Sequence, residues 1–177
     1  RLYANGVLVG SNPANVLGNY EITAATLTDG AKSMTVRQVD IAGNESVDSA
    51  ALAVTIDTTI AMPGAPDLDP ASDTGASNTD NVTSDTTPTF NGVVEPYATV
   101  KLYHSGSTLA GTATADAAGN YAVTSDALGD GSYTFTVKQT DPAGNGSDAS
   151  AALPVSIDTS ISTPAWPRLD AGCDTGA

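Results

Sequence analysis

Cysteine occurs once in the 177 residues, at Cys173, so no disulfide can form within the chain. Histidine also occurs once, at His104, which leaves a zinc centre of His and Cys ligands short of members. Lysine and arginine number 6 against 20 acidic residues, for a formal net charge of −14. Gripping nucleic acid or an anionic membrane takes a basic face, and this chain cannot build one. No apolar run reaches the length of a membrane span, so membrane insertion is not expected. No signal-peptide pattern opens the chain, and "RLYANGVLVG" begins in mid-pattern, as a fragment would. Catalytic groupings are missing too. His104 follows a strand pattern and precedes Ser105 and Gly106, the setting of a solvent-facing turn residue. The three glutamates, Glu21, Glu45 and Glu95, fall in strand or turn positions with no cleft pattern around them. The expectation is a protein that is not an enzyme.

What is present is repetition. "TDGAKSMTVRQVDIAGNES" (28–46) aligns with "GDGSYTFTVKQTDPAGNGS" (129–147) at an offset of about 101 residues. "LAVTIDTTI" (52–60) aligns with "LPVSIDTSI" (153–161), and "PDLDPASDTGA" (66–76) with "PRLDAGCDTGA" (167–177), at the same offset. "RLYANG" (1–6) matches "KLYHSG" (101–106) one residue short of it, so the second copy gains a residue before "GNY". The alignment divides the chain into an incomplete repeat at 1–69, a complete one at 70–169 and the start of a third at 170–177. The incomplete repeat lacks the strands matching "TPTFNGVV" and most of "ATVKLYH", which exposes a sheet edge and part of its core. Either the chain continues upstream or another chain fills the gap.

Strand signals dominate the complete repeat. "SYTFTVKQT" (132–140) alternates, with Tyr133, Phe135 and Val137 on one face. "TPTFNGVV" (87–94), "ATVKLYH" (98–104), "LAGTATA" (109–115), "NYAVTSD" (120–126) and "ALPVSID" (152–158) read as further strands. Asp-Gly and Ala-Gly-Asn turns punctuate them, and no window sustains a helical period. The expected fold class is all-β: tandem immunoglobulin-like β-sandwiches in an extended array. Inward candidates are Phe90, Val100, Leu102, Tyr121, Val123, Leu128, Tyr133, Phe135, Val137, Val155 and Ile157.

Between "AVTID" and Pro88 lie about thirty residues with no convincing strand, long for a compact domain. They contain "DLDPASDTGASNTD" (67–80), with four aspartates and no basic residue. Two readings stand. Short aspartates spaced by Gly and Ser supply the oxygens a calcium ion takes. On that reading Asp69, Asp73 and Asp80 are ligands, Asp57 and Asp40 complete the shell, and Asp158, Asp141, Asp170 and Asp174 are the counterparts one repeat later. Alternatively the segment is a solvated acidic linker whose aspartates make Asx-turns. Asp116, in "DAAGN", is replaced by Asn15 in the first repeat and reads as a hairpin-turn residue. Trp166 reads as an apolar plug at the domain junction.

"LGDGSYTFTVKQTDPAGNGS", "LPVSIDT" and "SDTGASNTDNVTSDTTPTFNGVVEPYATVKLY" together resemble the bacterial Ig-like repeats of giant surface adhesins, those of biofilm-associated proteins and type I-secreted non-fimbrial adhesins. The resemblance spans essentially the whole chain, with Lys32 in place of Tyr133, Asn15 in place of Asp116 and Cys173 in place of Ser72 as departures. It implies a string of sandwiches outside the cell, at the bacterial surface, with calcium at or near the junctions and neighbouring repeats as partners. The function expected is a calcium-stiffened stalk that supports adhesion or biofilm formation. One alternative is that the domains themselves bind a glycan or a host protein, although aromatics, at 5%, are few for such a surface. Another is a self-assembling filament subunit, in which other copies of the chain complete the first repeat.

Overall fold

The computed structural model describes residues 1–166, which divide into two units, Arg1–Ile60 and a second beginning at Ala61. The division lies nine residues ahead of the 69/70 boundary drawn from the repeat. The reason is local: residues 67 and 68 form a strand that pairs inside the second unit.

The first unit is one antiparallel sheet. Its strands are β1 (Leu2–Ala4), β2 (Val7–Gly10), β3 (Gly30–Val36) and β4 (Leu52–Ile56), in the order β2-β1-β3-β4. Asn5 and Gly6 join β1 to β2 with φ of 49° and 79°, the left-handed pair that a two-residue hairpin demands. Among the described residues no second sheet covers this one. Val7, Leu8, Tyr20 and Leu52 are each more than half exposed.

The second unit is a sandwich. Its strands are β5 (Asp67–Leu68), β6 (Val82–Thr83), β7 (Thr89–Val93), β8 (Thr99–His104), β9 (Thr108–Thr114), β10 (Asn120–Thr124), β11 (Gly131–Thr140) and β12 (Leu153–Ile157). One sheet runs β10-β7-β5 and the other β6-β12-β11-β8-β9. Alternation along each strand sends one face inward. Leu68, Phe90, Tyr121 and Val123 come from the smaller sheet; Val100, Leu102, Ala110, Phe135, Val137 and Val155 come from the larger. Phe90 and Phe135 are fully buried with ring centroids 4.3 Å apart, and each such side chain contributes about 3 kcal/mol by burial. Leu128 and Tyr133, expected inside, pack half-buried at the margin of this cluster.

The extra residue of the second repeat has a place. Val7 pairs with Ala4 across two loop residues, whereas Thr108 pairs with His104 across three. Two other expectations change. His104 ends β8 instead of lying on an open turn, and its ring meets Tyr133 edge-on at 5.5 Å. Trp166, expected as a buried plug, is 92% exposed among the described residues.

Candidate functional site

The segment between β4 and β7 is ordered by short pairings and hydroxyl chemistry. β5 pairs antiparallel with β7, and β6 pairs parallel with β12. Between them Ser72, only 7% exposed, is a hub. Its hydroxyl donates to Asp85 Oδ2 at 2.9 Å and accepts the Thr89 N–H at 3.0 Å. Its carbonyl accepts from the Thr83 hydroxyl. Thr74 Oγ1 lies 3.1 Å from Thr83 Oγ1 and 2.9 Å from Ser84 Oγ. Asp85 also accepts the Thr87 N–H at 2.8 Å, so it closes a turn while it holds Ser72. Sequence reasoning did not single out Asp85 or Ser72. The spacing of hydroxyl residues on either side of "DTG" was the available signal.

The aspartates expected to bind calcium do different things. Asp69 Oδ1 accepts the Ala71 N–H at 2.8 Å, and its Oδ2 accepts the Asn91 amide at 3.1 Å. Asp80 is exposed and accepts the Val82 N–H at 3.1 Å, an Asx-turn. Asp57 and Asp158 accept backbone N–H groups two residues on, from Thr59 and Ser160. Asp73 is different. It is 4% exposed, its Oδ2 accepts the Asn81 N–H at 3.2 Å, and its Oδ1 is buried with no hydrogen-bond partner. A carboxylate oxygen in that state is costly unless a cation or a proton accompanies it. Among the described residues no three His, Cys, Asp or Glu side chains converge on one point. Asp170 and Asp174 lie outside the described residues.

Asp40 and Asp141 share one arrangement with Asp116. In each, one carboxylate oxygen accepts the N–H of the asparagine four residues on, at 2.8 Å, and the other accepts that asparagine's side-chain amide. The "DxAGN" pattern is a hairpin clasp in all three. The Asn44 amide and backbone hold the Asp40 carboxyl below the usual carboxylate range, and Asn120 does the same for Asp116. At Asp141 burial opposes the charge, yet the Asn145 amide and the neighbouring N–H groups outweigh it and the net shift is downward.

A second clasp lies at the start of the second unit. Glu95 Oε1 accepts the Ala61 N–H at 3.1 Å, and Gln139 Nε2 donates to the Ala61 carbonyl at 2.8 Å. Gln139 Oε1 accepts the Glu95 N–H at 2.9 Å, which joins the three residues in one network. In the first unit the equivalent Gln38 lines a cleft of about 420 Å³ together with Gly18, Tyr20, Ile22 and Val36.

Residues 2–58 and 59–159 each match the bacterial Ig-like domain family. Chitinase A1 of Niallia circulans is 35% identical over 162 residues, which is 89% of this chain and 22% of that protein. The BSP domain of a biofilm-associated protein is similar over 89% of this chain and 24% of its own, at 19% identity and a TM-score of 0.40. A Ca2+-stabilized adhesin that helps an Antarctic bacterium reach out and bind ice is similar over 88% of this chain and 38% of its own, at 24% identity and a TM-score of 0.40.

Proposed function

The chain belongs to the bacterial Ig-like domain family, and on that premise we propose that it is a pair of structural spacer repeats from a bacterial surface adhesin, stiffened by calcium. The repeats act mechanically and carry out no reaction. Two tandem family matches over residues 2–58 and 59–159 support the spacer role. The net charge of −14 suits an extracellular surface bathed in divalent cations. The neighbouring repeats are its partners.

The calcium reading rests on Asp73. Among the described residues its Oδ1 is the buried carboxylate oxygen that has no hydrogen-bond partner. Hard oxygen donors surround it in sequence, and calcium accepts carboxylate, hydroxyl, carbonyl and water oxygens in a tolerant shell. The residues that would hold it are Asp73 and the neutral oxygens of the 72–84 segment. Asp69 and Asp80 serve as turn anchors that shape this segment. When bound, the ion supplies positive charge to a carboxylate that burial otherwise penalises.

Thermal and chemical unfolding with calcium and then with chelator tests this. For an affinity of about 10⁻⁴ to 10⁻³ M, about 10 mM calcium stabilises by roughly 1.4 to 2.7 kcal/mol. Asp73→Asn abolishes the increment. An increment that survives Asp73→Asn moves the ion elsewhere. Small-angle scattering under the same two conditions tests the stiffening, and an unchanged maximum dimension sinks it.

A second reading has one observation in its favour, the 35% identity to Chitinase A1. On it the domains themselves bind a glycan. Retention on insoluble chitin, with and without calcium, separates the two readings.

A further inference from the structure

The chain carries Asn-Gly pairs at 5–6, 91–92 and 145–146. This dipeptide can modify itself. Glycine lacks a Cβ, so its nitrogen reaches the preceding side chain with little hindrance. The glycine nitrogen attacks the asparagine Cγ, a new C–N bond closes a succinimide ring, and Nδ2 leaves as ammonia with the proton of the attacking nitrogen. Water then opens the ring at either carbonyl, to aspartate or to isoaspartate. We propose that Asn5 is a site of this spontaneous modification, and that Asp141 and the β7 ladder hold Asn145 and Asn91 out of the same reaction. Neither half of the proposal depends on calcium.

What holds each asparagine sorts the pairs. Asn91 lies in β7, paired with Asp67 on one side and Ala122 on the other, and its Nδ2 donates to Asp69 Oδ2 at 3.1 Å. Asn145 Nδ2 donates to Asp141 Oδ2 at 2.7 Å, and its N–H donates to Asp141 Oδ1 at 2.8 Å. In both, the leaving nitrogen is tied to a carboxylate. Charge-assisted bonds are the stronger kind, and ring closure needs the reacting atoms free to align. Asn5 has no such tie. It lies in the exposed turn between β1 and β2. Its Oδ1 accepts the Ser33 N–H at 2.8 Å, which puts a donor on the oxygen that gains negative charge as the ring closes. Among the described residues nothing accepts from its Nδ2. The matching loop of the second unit, residues 105–107, is exposed as well, so the exposure belongs to this turn of the repeat.

The first unit also shows what releases a clasp. Asn15 stands where Asp116 and Asp141 hold their asparagines. Its Oδ1 still accepts the Leu17 and Asn19 N–H groups, at 2.9 and 3.0 Å, so the turn keeps its backbone bonds. It makes no bond to the Asn19 side-chain amide among the described residues. An amide in place of the carboxylate therefore keeps the turn and frees the clasped side chain. Conversion at Asn5 has its own consequence. It adds a negative charge, and isoaspartate adds a carbon to the main chain of a turn that needs left-handed backbone at both residues. β2, an edge strand paired to β1 alone, then loses its register.

The test is incubation of the full chain at mildly alkaline pH, followed by peptide mapping that separates aspartate and isoaspartate from asparagine. Asn5 should convert about ten-fold faster than Asn91 or Asn145, or more, the factor that loss of a charge-assisted bond is worth. Asp141→Asn should speed conversion at Asn145 by a similar factor. That variant adds no reactive pair of its own, because Pro142 follows and has no N–H. Asn5→Ser, which installs the residue found at position 105, should remove the fast conversion and leave β2 protected from hydrogen exchange through the incubation. In denaturant the three pairs should react at similar rates. Conversion at Asn5 no faster than at Asn91 and Asn145 overturns the proposal. So does an unchanged rate at Asn145 in Asp141→Asn. The folded order persisting in denaturant also overturns it, because the order would then come from flanking sequence and not from the bonds that hold each asparagine.

Discussion

The same tyrosine in the same repeat position is 52% exposed as Tyr20 and 5% exposed as Tyr121. Flanking residues barely differ, with "GNYEI" in one unit and "GNYAV" in the other. What differs is β7, which pairs beside Tyr121, whereas among the described residues no strand pairs beside Tyr20. Burial there pushes the Tyr121 hydroxyl up to about 12, with the charge of Asp67 adding to it. The lesson is that strand β10 is conditional. Its residues have the propensity in both units, but only a ladder partner and a covered face turn propensity into a strand.

Removing the cover should make the second unit resemble the first. Phe90→Ala deletes the largest fully buried ring from the smaller sheet, and such a deletion costs about 3–5 kcal/mol. Chemical denaturation should show this loss in the second unit alone. Hydrogen exchange should show residues 120–124 losing protection. If they keep it, β10 does not depend on β7 and the comparison fails.

A matched pair of glycines sharpens it. Gly18 and Gly119 have φ of +79° and +86°, so alanine at either is strained by about 1–2 kcal/mol. Around Gly18 nothing lies within 4 Å of an added Cβ, whereas at Gly119 the Cβ would run into the Val94 carbonyl oxygen. Gly119→Ala should therefore cost about 1–3 kcal/mol more than Gly18→Ala. Equal costs would mean that the approach of residue 94 is not a constraint.

Much of the second unit was legible because its strands alternate. The patterns at 98–104, 109–115 and 132–140 fall within a residue of β8, β9 and β11, and Phe135 and Val137 share the inward face expected of them. β5 and β6 were not legible, because two residues carry no period. They exist through backbone pairing to β7 and β12, which local sequence does not encode. The acidic segment was legible as a special region but not residue by residue. Asp69, Asp80 and Asp73 look alike as letters, yet Asp69 caps a turn and braces Asn91, Asp80 caps a turn at the surface, and Asp73 is buried. Burial depends on how the segment folds back on itself, as where the Asn81 N–H reaches Asp73 Oδ2, and that is tertiary information. The "DxAGN" motif shows the reverse case, unlike expectations for one local structure. Placement near the linker set Asp40 and Asp141 apart from Asp116, while the local hydrogen bonds are the same in all three.

The smallest expected effect compares those clasps across the units. Asp40 and Asp141 both have folded pKa values below the ordinary carboxylate range. A depressed value means that the folded state favours the charged form. The stabilisation is fully present above the unfolded value, about 3.9, and is lost as pH falls through the lower folded value. Melting temperatures should therefore stay flat from about pH 7 to pH 5 on this account and fall below about pH 4. Asparagine at either position keeps one acceptor and removes the charge, so each variant should melt lower at neutral pH and lose part of the acid-side slope. The two should differ in degree. Asp40 is exposed and water and salt screen its clasp, while Asp141 is 6% exposed and its neighbours must supply nearly all of its solvation. Asp141→Asn should shift the melting of the second unit more than Asp40→Asn shifts that of the first. Added salt should weaken the Asp40 effect before it touches the Asp141 effect. Equal shifts with equal salt dependence would show that the cover over the second unit does not reach this hairpin.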